Sequence, residues 1–175
     1  MSKTGSLHYE LCCEPAKWLR RGKGPIRYCG KWKYVAVELC AVGAENCDVW
    51  AFNGDRTLVI EVKTSRRDFL NDKKKWWRSN EANNYKAGNL RYYLALEGII
   101  KPEDLPEGWG LLTWTDVDEE GNHTGKFRIE VTVESKFHVT MNTADLRILN
   151  SILWREKFPQ GIYNYRNMNP KTKHD

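Results

Sequence analysis

The sequence predicts a single α/β domain built around a mixed β-sheet. Three observations predict this fold: the order of the segments, a β-hairpin pattern at residues 46–63, and the length of the chain. The segments read as helix, three strands, helix, further strands and helix, an order that fits one mixed sheet with helices packed on it. A chain of 175 residues suits one domain that buries about 70% of its unfolded surface. We expect residues 1–158 to form the domain and residues 159–175 to form a polar tail.

The first half of the chain supplies a helix and three strands. Residues 7–21 predict a helix that ends at Gly22, although Pro15 indicates either a start near Glu14 or a kink there. Residues 34–42 are almost continuously apolar and, with Glu38 as their one interruption, predict a buried strand. The β-branched and aromatic residues at 46–52 and 57–63 predict the two strands of a hairpin.

The second half begins with a helix capped by Ser65, which we expect to extend through Trp77. On this helix, Asp68 is predicted to interact favourably with the positive end of the helix dipole, and Asp72 is predicted to form an ion pair with Lys75 or Arg78. The remaining predicted elements are strands at 91–96, 109–115 and 127–133, a helical turn at 102–105, and a final amphipathic helix capped by Asn142.

The hairpin brings two acids and a lysine to one face of the sheet. With Gly54-Asp55 as a two-residue loop, Asp48 lies directly opposite Glu61, with Cβ atoms about 5 Å apart. If Asn53-Gly54 forms the loop, Glu61 becomes a diagonal neighbour on the same face. Lys63 shares this face because strand side chains alternate. Opposed like charges destabilise a sheet, and a bound Mg²⁺, which usually takes one or two carboxylates, would remove the repulsion.

The charge distribution indicates a polyanionic partner. The net charge is +5, and the segment from Lys63 to Arg78 holds seven basic and two acidic residues. Such a cluster beside carboxylates suits a substrate with phosphates, although a solvated helix face is the alternative. No membrane partner is expected, because no stretch of 18 apolar residues is present. The five cysteines show no C-x-x-C spacing and are predicted to be structural thiols.

The spacing of Asp48, twelve residues and then Glu61-x-Lys63 resembles the PD-(D/E)XK nuclease superfamily. The superfamily core is helix, three strands, helix and strand, and the resemblance implies a restriction-endonuclease-like fold. The likeness covers roughly residues 7–115, and the segments 48–51, 59–74 and 91–112 look like small MmcB-like DNA repair proteins and phage-borne members. The proline that names the superfamily is absent, since Asn46-Cys47 precedes the aspartate.

The resemblance also implies roles for the residues of the hairpin. Asp48 and Glu61 would bind Mg²⁺ or Mn²⁺ together with the carbonyl of Val62, and Lys63 would orient water or stabilise charge on the phosphate. Glu38 is a candidate for a second metal or a metal-bound water, with a solvent-facing edge position or an ion pair with Lys63 as the alternatives. A possible additional acid is Glu10.

The implied activity is metal-dependent hydrolysis of DNA by an endonuclease, in repair, recombination or phage DNA processing. We expect a cytoplasmic protein of a bacterium or a phage-infected cell. The alternatives are a catalytically inactive nucleic-acid-binding module and a phage accessory protein. The number of metal ions and the formation of a homodimer stay open. The candidate DNA contacts are basic residues and one tryptophan that could stack on a base: Arg66, Arg67, Lys73, Lys74, Lys75, Trp77 and Arg78.

Overall fold

The computed structural model describes residues 3–22, 31–72, 74–75, 84–118, 120–139 and 143–156. They form the α/β architecture with a mixed sheet that the sequence predicts. The elements are α1 (Lys3–Arg20), β1 (Tyr34–Val37), β2 (Val49–Phe52), β3 (Thr57–Lys63), α2 (Arg66–Asp72), β4 (Leu90–Leu96), β5 (Gly110–Val117), β6 (His123–Val133) and α3 (Thr143–Arg155), with a 3₁₀ turn at Pro102–Asp104.

The described strands form one sheet in which the spatial order follows the chain order from β1 to β6. The pairs β1–β2, β2–β3 and β5–β6 are antiparallel, whereas β3–β4 and β4–β5 are parallel. This topology brings the end of β1, the start of β2 and the end of β3 to the same end of the sheet.

Helices cover both faces of the sheet. On one face, Leu11, Cys12 and Leu19 of α1 pack in a cluster that includes Val49 and Ile60. On the opposite face, α3 packs Ala144 and Ile148 into a cluster with Trp50 and Val59. Every residue of β3 is buried, so charged side chains near the end of this strand lie in a largely desolvated environment.

The hairpin register is the first of the two that the sequence allows. Phe52 pairs with Thr57, and the Asn53 N–H donates to the Arg56 carbonyl at 3.2 Å, so Gly54-Asp55 is the loop. The side-chain oxygen of Asn53 accepts hydrogen bonds from the backbone N–H groups of Asp55 at 3.0 Å and Arg56 at 2.9 Å. Gly54 has a φ of +116°, a conformation that glycine adopts at low cost.

The buried strand predicted at residues 34–42 is wrong in length and in burial. β1 ends at Val37 and its residues are exposed or partly buried, because among the described strands only β2 pairs with it. Glu38 adopts a left-handed φ of +48°, which turns the chain out of the strand. Val42 is 98% exposed.

The boundaries of three other elements differ from the predictions. α1 begins at Lys3 and continues through Pro15, whose cost of about 3 kcal/mol in a helix interior is offset by burial of the face that packs on the sheet. α2 ends at Asp72, and β6 begins at His123. Trp77, Arg78, Asn142 and the predicted tail lie outside the described residues. None of the described helices is long and apolar enough to cross a membrane.

Candidate functional site

The candidate site lies at the end of the sheet where β1 and β3 finish and β2 begins. Glu38 directly follows β1, Asp48 directly precedes β2, and Glu61 and Lys63 lie among the last three residues of β3. The Glu38 N–H donates to the Asp48 carbonyl at 2.9 Å, which continues the β1–β2 pairing by one residue. The hairpin and its neighbouring strand therefore bring all four of these sequence-predicted residues to one region.

Asp48 divides its two carboxylate oxygens between the backbone of β3 and helix α1. Oδ2 accepts a hydrogen bond from the Val62 N–H at 2.7 Å. Oδ1 lies 3.5 Å from His8 Nε2, and the Asp48 side chain is 21% exposed. The contact to Val62 fixes the carboxylate, so that Oδ1 is directed to the accessible part of the site. Val62 therefore contacts Asp48 through its backbone N–H, whereas the resemblance implies its carbonyl as a metal ligand.

Lys63 is buried between two carboxylates. Its Nζ lies 3.3 Å from Glu61 Oε2 and 3.2 Å from Asp72 Oδ1, and its side chain is 3% exposed. Burial alone lowers the pKa of Lys63, but the negative charges of Glu61 and Asp72, with a smaller contribution from Asp48, outweigh it and raise the pKa above its usual value. Lys63 thus forms ion pairs with Glu61 and Asp72. The alternative ion pair between Glu38 and Lys63 does not form.

Asp72 holds Lys63 from the side of α2. Its carboxylate is fully buried, lies 2.7 Å from Lys75 Nζ, and accepts a hydrogen bond from the Tyr93 hydroxyl at 2.8 Å. The predicted pairing with Lys75 is therefore confirmed. The contact of Asp72 with Lys63 could not be predicted from the sequence, because it depends on how α2 packs against β3.

Helix α1 adds two residues that the sequence analysis does not identify. His8 Nε2 lies 3.6 Å from Cys12 Sγ and 3.7 Å from Glu38 Oε1. Burial, followed by the charges of Asp48 and Glu38, raises the pKa of the Cys12 thiol. The available signal was the four-residue spacing of His8 and Cys12, which places both side chains on one helix face.

Glu10, the possible additional acid, lies elsewhere on α1. It is exposed, and it follows His8 by two residues, which is a rotation of about 200° around a helix of 3.6 residues per turn. The position on α1 that reaches Asp48 is therefore taken by an imidazole and a thiol. The role of Glu10 as an additional acid stays a prediction.

The basic residues near α2 that are predicted to contact DNA differ in whether their side chains already form ion pairs within the protein. Arg66 is held by Asp104, with 2.5 Å between Nη1 and Oδ2, and Lys75 is tied to Asp72. All four of these described basic residues are exposed, and Arg67 and Lys74 are the two that have no ion pair with a described acid. Lys73, Trp77 and Arg78 lie outside the described residues.

Comparison with known proteins finds no family model that matches the sequence. The chain is 24% identical to the Grainyhead-like protein 2 homologs of Xenopus tropicalis and Mus musculus over 98% of its length, and it spans 27% of the length of each. A Silicibacter pomeroyi protein of unknown function is similar in structure, with a TM-score of 0.46 and 17% identity over 74% of this chain and 84% of that one. None of these similarities assigns the chain to a family.

Proposed function

We propose that the protein is a metal-dependent DNA endonuclease of the PD-(D/E)XK superfamily with a restriction-endonuclease-like core. The observation that carries the proposal is the convergence of Asp48, Glu61 and Lys63 at one end of the sheet, with a hydrogen bond of 2.7 Å from Val62 to Asp48. The order α1–β1–β2–β3–α2–β4 supports the proposed core, since it is the order that the resemblance implies.

The charges of the site suit a divalent cation. Asp48, Glu61 and Glu38 supply carboxylate oxygens, which are ligands that Mg²⁺ and Mn²⁺ accept. Asp48 and Glu61 would hold the ion, with the Val62 carbonyl and Glu38 as further ligands. When bound, such an ion lowers the pKa of a water molecule and offsets negative charge that develops on a phosphate.

The protein's own groups would orient the substrate and hold the charges in place. Lys63 keeps its proton because Glu61 and Asp72 stabilise the ammonium, so it would donate hydrogen bonds to a phosphate oxygen or to the attacking water. Asp72 would act as a positioning residue, since it fixes the ammonium group without reaching solvent. Arg67 and Lys74 would contact the DNA backbone beside the site.

The proposal is tested by incubating a panel of labelled duplex, single-stranded and branched DNAs with the protein in Mg²⁺ and in Mn²⁺. Asp48→Asn keeps an oxygen that can accept the Val62 hydrogen bond but removes the charge, and we expect cleavage to fall by at least about 100-fold. Lys63→Ala should also abolish cleavage. Circular dichroism spectra would establish that both variants are folded.

Asp55→Asn is the matched control, because Asp55 is an exposed aspartate at the loop of the same hairpin. It should cleave DNA at the wild-type rate. Full metal-dependent cleavage by Asp48→Asn would contradict the proposal. DNA binding without cleavage, together with no saturable Mn²⁺ binding in calorimetry, would identify a binding module instead.

A further inference from the structure

His8, Cys12 and Asp48 form a group of three side chains that can bind a metal, with Glu38 beside it and His8 Nε2 at its centre. Three possible ligand atoms surround it: Asp48 Oδ1 at 3.5 Å, Cys12 Sγ at 3.6 Å and Glu38 Oε1 at 3.7 Å. The ligand atoms of His8, Cys12 and Asp48 all lie within 4.8 Å of one another. The four residues come from α1, the end of β1 and the start of β2, so the fold and not one local segment assembles the group.

The distances of Cys12 Sγ and Asp48 Oδ1 from His8 Nε2 match those between the ligands of one tetrahedral ion. Zinc lies about 2.3 Å from a cysteine sulfur and about 2.0–2.1 Å from an imidazole nitrogen, so a tetrahedral angle separates the two ligand atoms by roughly 3.5 Å. A nitrogen and a carboxylate oxygen at comparable bond lengths are roughly 3.4 Å apart. The separations of Cys12 and Asp48 from His8 Nε2, 3.6 Å and 3.5 Å, are therefore close to those of a shared ion.

We propose that His8, Cys12 and Asp48 bind a transition-metal ion of the Zn²⁺ class in preference to Mg²⁺, with Glu38 beside His8 and one coordination position left for water. Thiolate and imidazole are ligands of zinc and cobalt, whereas Mg²⁺ prefers oxygen ligands and water. The inference rests on the proposed function for the role of Asp48 as a metal ligand, and it assigns a zinc-class ion, in place of Mg²⁺ or Mn²⁺, to the site that Asp48 helps to form.

The surroundings of the group allow an ion to enter, and the charge of a bound ion would offset the burial and the acids that raise the pKa of the Cys12 thiol. Cys12 is fully buried, whereas the side chains of His8 and Glu38 are 33% and 44% exposed, so the ion can approach from the solvent side. On binding, the Cys12 thiol releases its proton to solvent and its sulfur becomes a metal ligand. This role differs from the structural thiol that the sequence predicts.

Cobalt(II) is the probe, because a Co²⁺ ion in a tetrahedral site with a thiolate ligand absorbs light both in the near ultraviolet and in the visible range. The wild-type chain, freed of metal with a chelator and titrated with Co²⁺, should show sulfur-to-cobalt charge transfer in the near ultraviolet and intense visible bands. Zn²⁺ should abolish both by displacing Co²⁺ at one equivalent, and a large excess of Mg²⁺ should not.

Variants assign the absorption to individual residues. Cys12→Ser should remove the near-ultraviolet band, and His8→Gln should weaken Co²⁺ binding by more than about tenfold, since even the loss of a residue that only orients a ligand costs about 10- to 100-fold. Cys13→Ser is the matched control on the same helix and should retain the wild-type spectrum; Cys13 is a free thiol of intermediate burial.

Weak, six-coordinate visible bands without charge transfer in the wild-type protein would overturn the proposal, even if Cys12→Ser fails to fold. A near-ultraviolet band that persists in folded Cys12→Ser would also overturn it. The readout is independent of cleavage. The predicted Co²⁺ spectrum without DNA cleavage would reject only the nuclease proposal, and Mg²⁺-dependent cleavage without the spectrum would reject only the zinc-class site.

Discussion

Lys63 retains its charge in the interior of the protein because acids surround it. Transfer of an ammonium group out of water is costly, and burial by itself would favour the neutral amine. The contacts with Glu61 and Asp72, at 3.3 Å and 3.2 Å, reverse that preference and raise the pKa of Lys63. A lysine that stays protonated is suited to binding a phosphate and not to removing a proton from water.

Asp145 is a buried acid on the opposite side of the hairpin from helix α1. Its side chain accepts hydrogen bonds from Trp50 Nε1 at 2.7 Å and from the Gly88 N–H at 3.0 Å. Burial raises the pKa of Asp145, and the hydrogen bonds from Trp50 and Gly88 only partly oppose the shift. The folded state therefore disfavours the ionised carboxylate relative to the unfolded chain.

The raised pKa of Asp145 predicts a pH-dependent contribution to stability. The folded protein binds a proton at Asp145 at a higher pH than the unfolded chain does, so this residue's contribution to the free energy of unfolding increases as the pH falls from neutral through the folded pKa, until the unfolded pKa near 3.9. Asp145→Asn keeps one acceptor oxygen and removes the titration. Urea unfolding at pH 7 and pH 4.5 should show the wild type gaining stability relative to the variant at the lower pH. A difference between the two proteins that does not change with pH would contradict this assignment.

At the scale of elements, the hairpin could be predicted because its determinants are local. Asn53, Gly54 and Asp55 fix the loop through contacts within four residues, and the loop fixes the register of β2 and β3. The length of β1 could not be predicted, since apolar residues continue past Val37 and the left-handed backbone of Glu38 has no signature in the sequence.

The contributions of α1 and α2 to the site depend on packing between distant segments. His8 and Asp48 are forty residues apart in the chain, and only the position of α1 over the end of the sheet brings them to 3.5 Å. Asp72 was predicted to pair with Lys75 from helical spacing alone, but its contact with Lys63 requires the β3–α2 turn. Sequence patterns thus indicated the residues of the hairpin and missed those supplied by tertiary structure.

The pairing of β4 with β5 requires a residue without a side chain at position 110. A Cβ on Gly110 would lie 2.2 Å from Tyr92 Cε1 and 2.7 Å from the backbone nitrogen of Ser135. The Tyr92 ring cannot readily move, because its hydroxyl donates to Glu134 at 2.6 Å and accepts from the Ser135 N–H at 3.1 Å. The close approach of the two strands therefore depends on this glycine.

Gly110→Ala should destabilise the protein by about 1–3 kcal/mol or more, the usual cost of forcing extra volume into a packed interior. Chemical denaturation would measure the change. Gly98→Ala serves as a comparison, because its Cβ would meet open space and only its φ of +85° is unfavourable for alanine; we expect about 1 kcal/mol there. Equal losses at the two positions would show that the contact with Tyr92 is not the cause.

For the whole molecule, with its net charge of +5, the proposed DNA binding should weaken as salt is added. Replacing Arg67 and Lys74 together by Gln should lower the slope of log affinity against log salt by about two, since each phosphate contact contributes about 0.9. Fluorescence anisotropy with a labelled duplex at several salt concentrations measures this slope.

Lys136→Gln is the control for that experiment. Lys136 is exposed, and its backbone N–H donates to the carbonyl of Gly108, which lies two residues before β5 and thus at the end of the sheet away from Asp48. Its loss should leave the slope unchanged. An equal reduction in the control and in the double variant would show that the DNA contact is not confined to the surface beside α2.

Strand β6 has a consequence for how copies of the protein behave at high concentration. It is 11 residues long and, among the described strands, is paired only with β5, so its outer edge offers backbone groups that another strand could join. Arg128 and Glu130 are exposed on it and lie 3.3 Å apart. Charged side chains on an edge strand oppose edge-to-edge pairing, so Arg128 and Glu130 disfavour the pairing of this part of β6 with a strand of another copy.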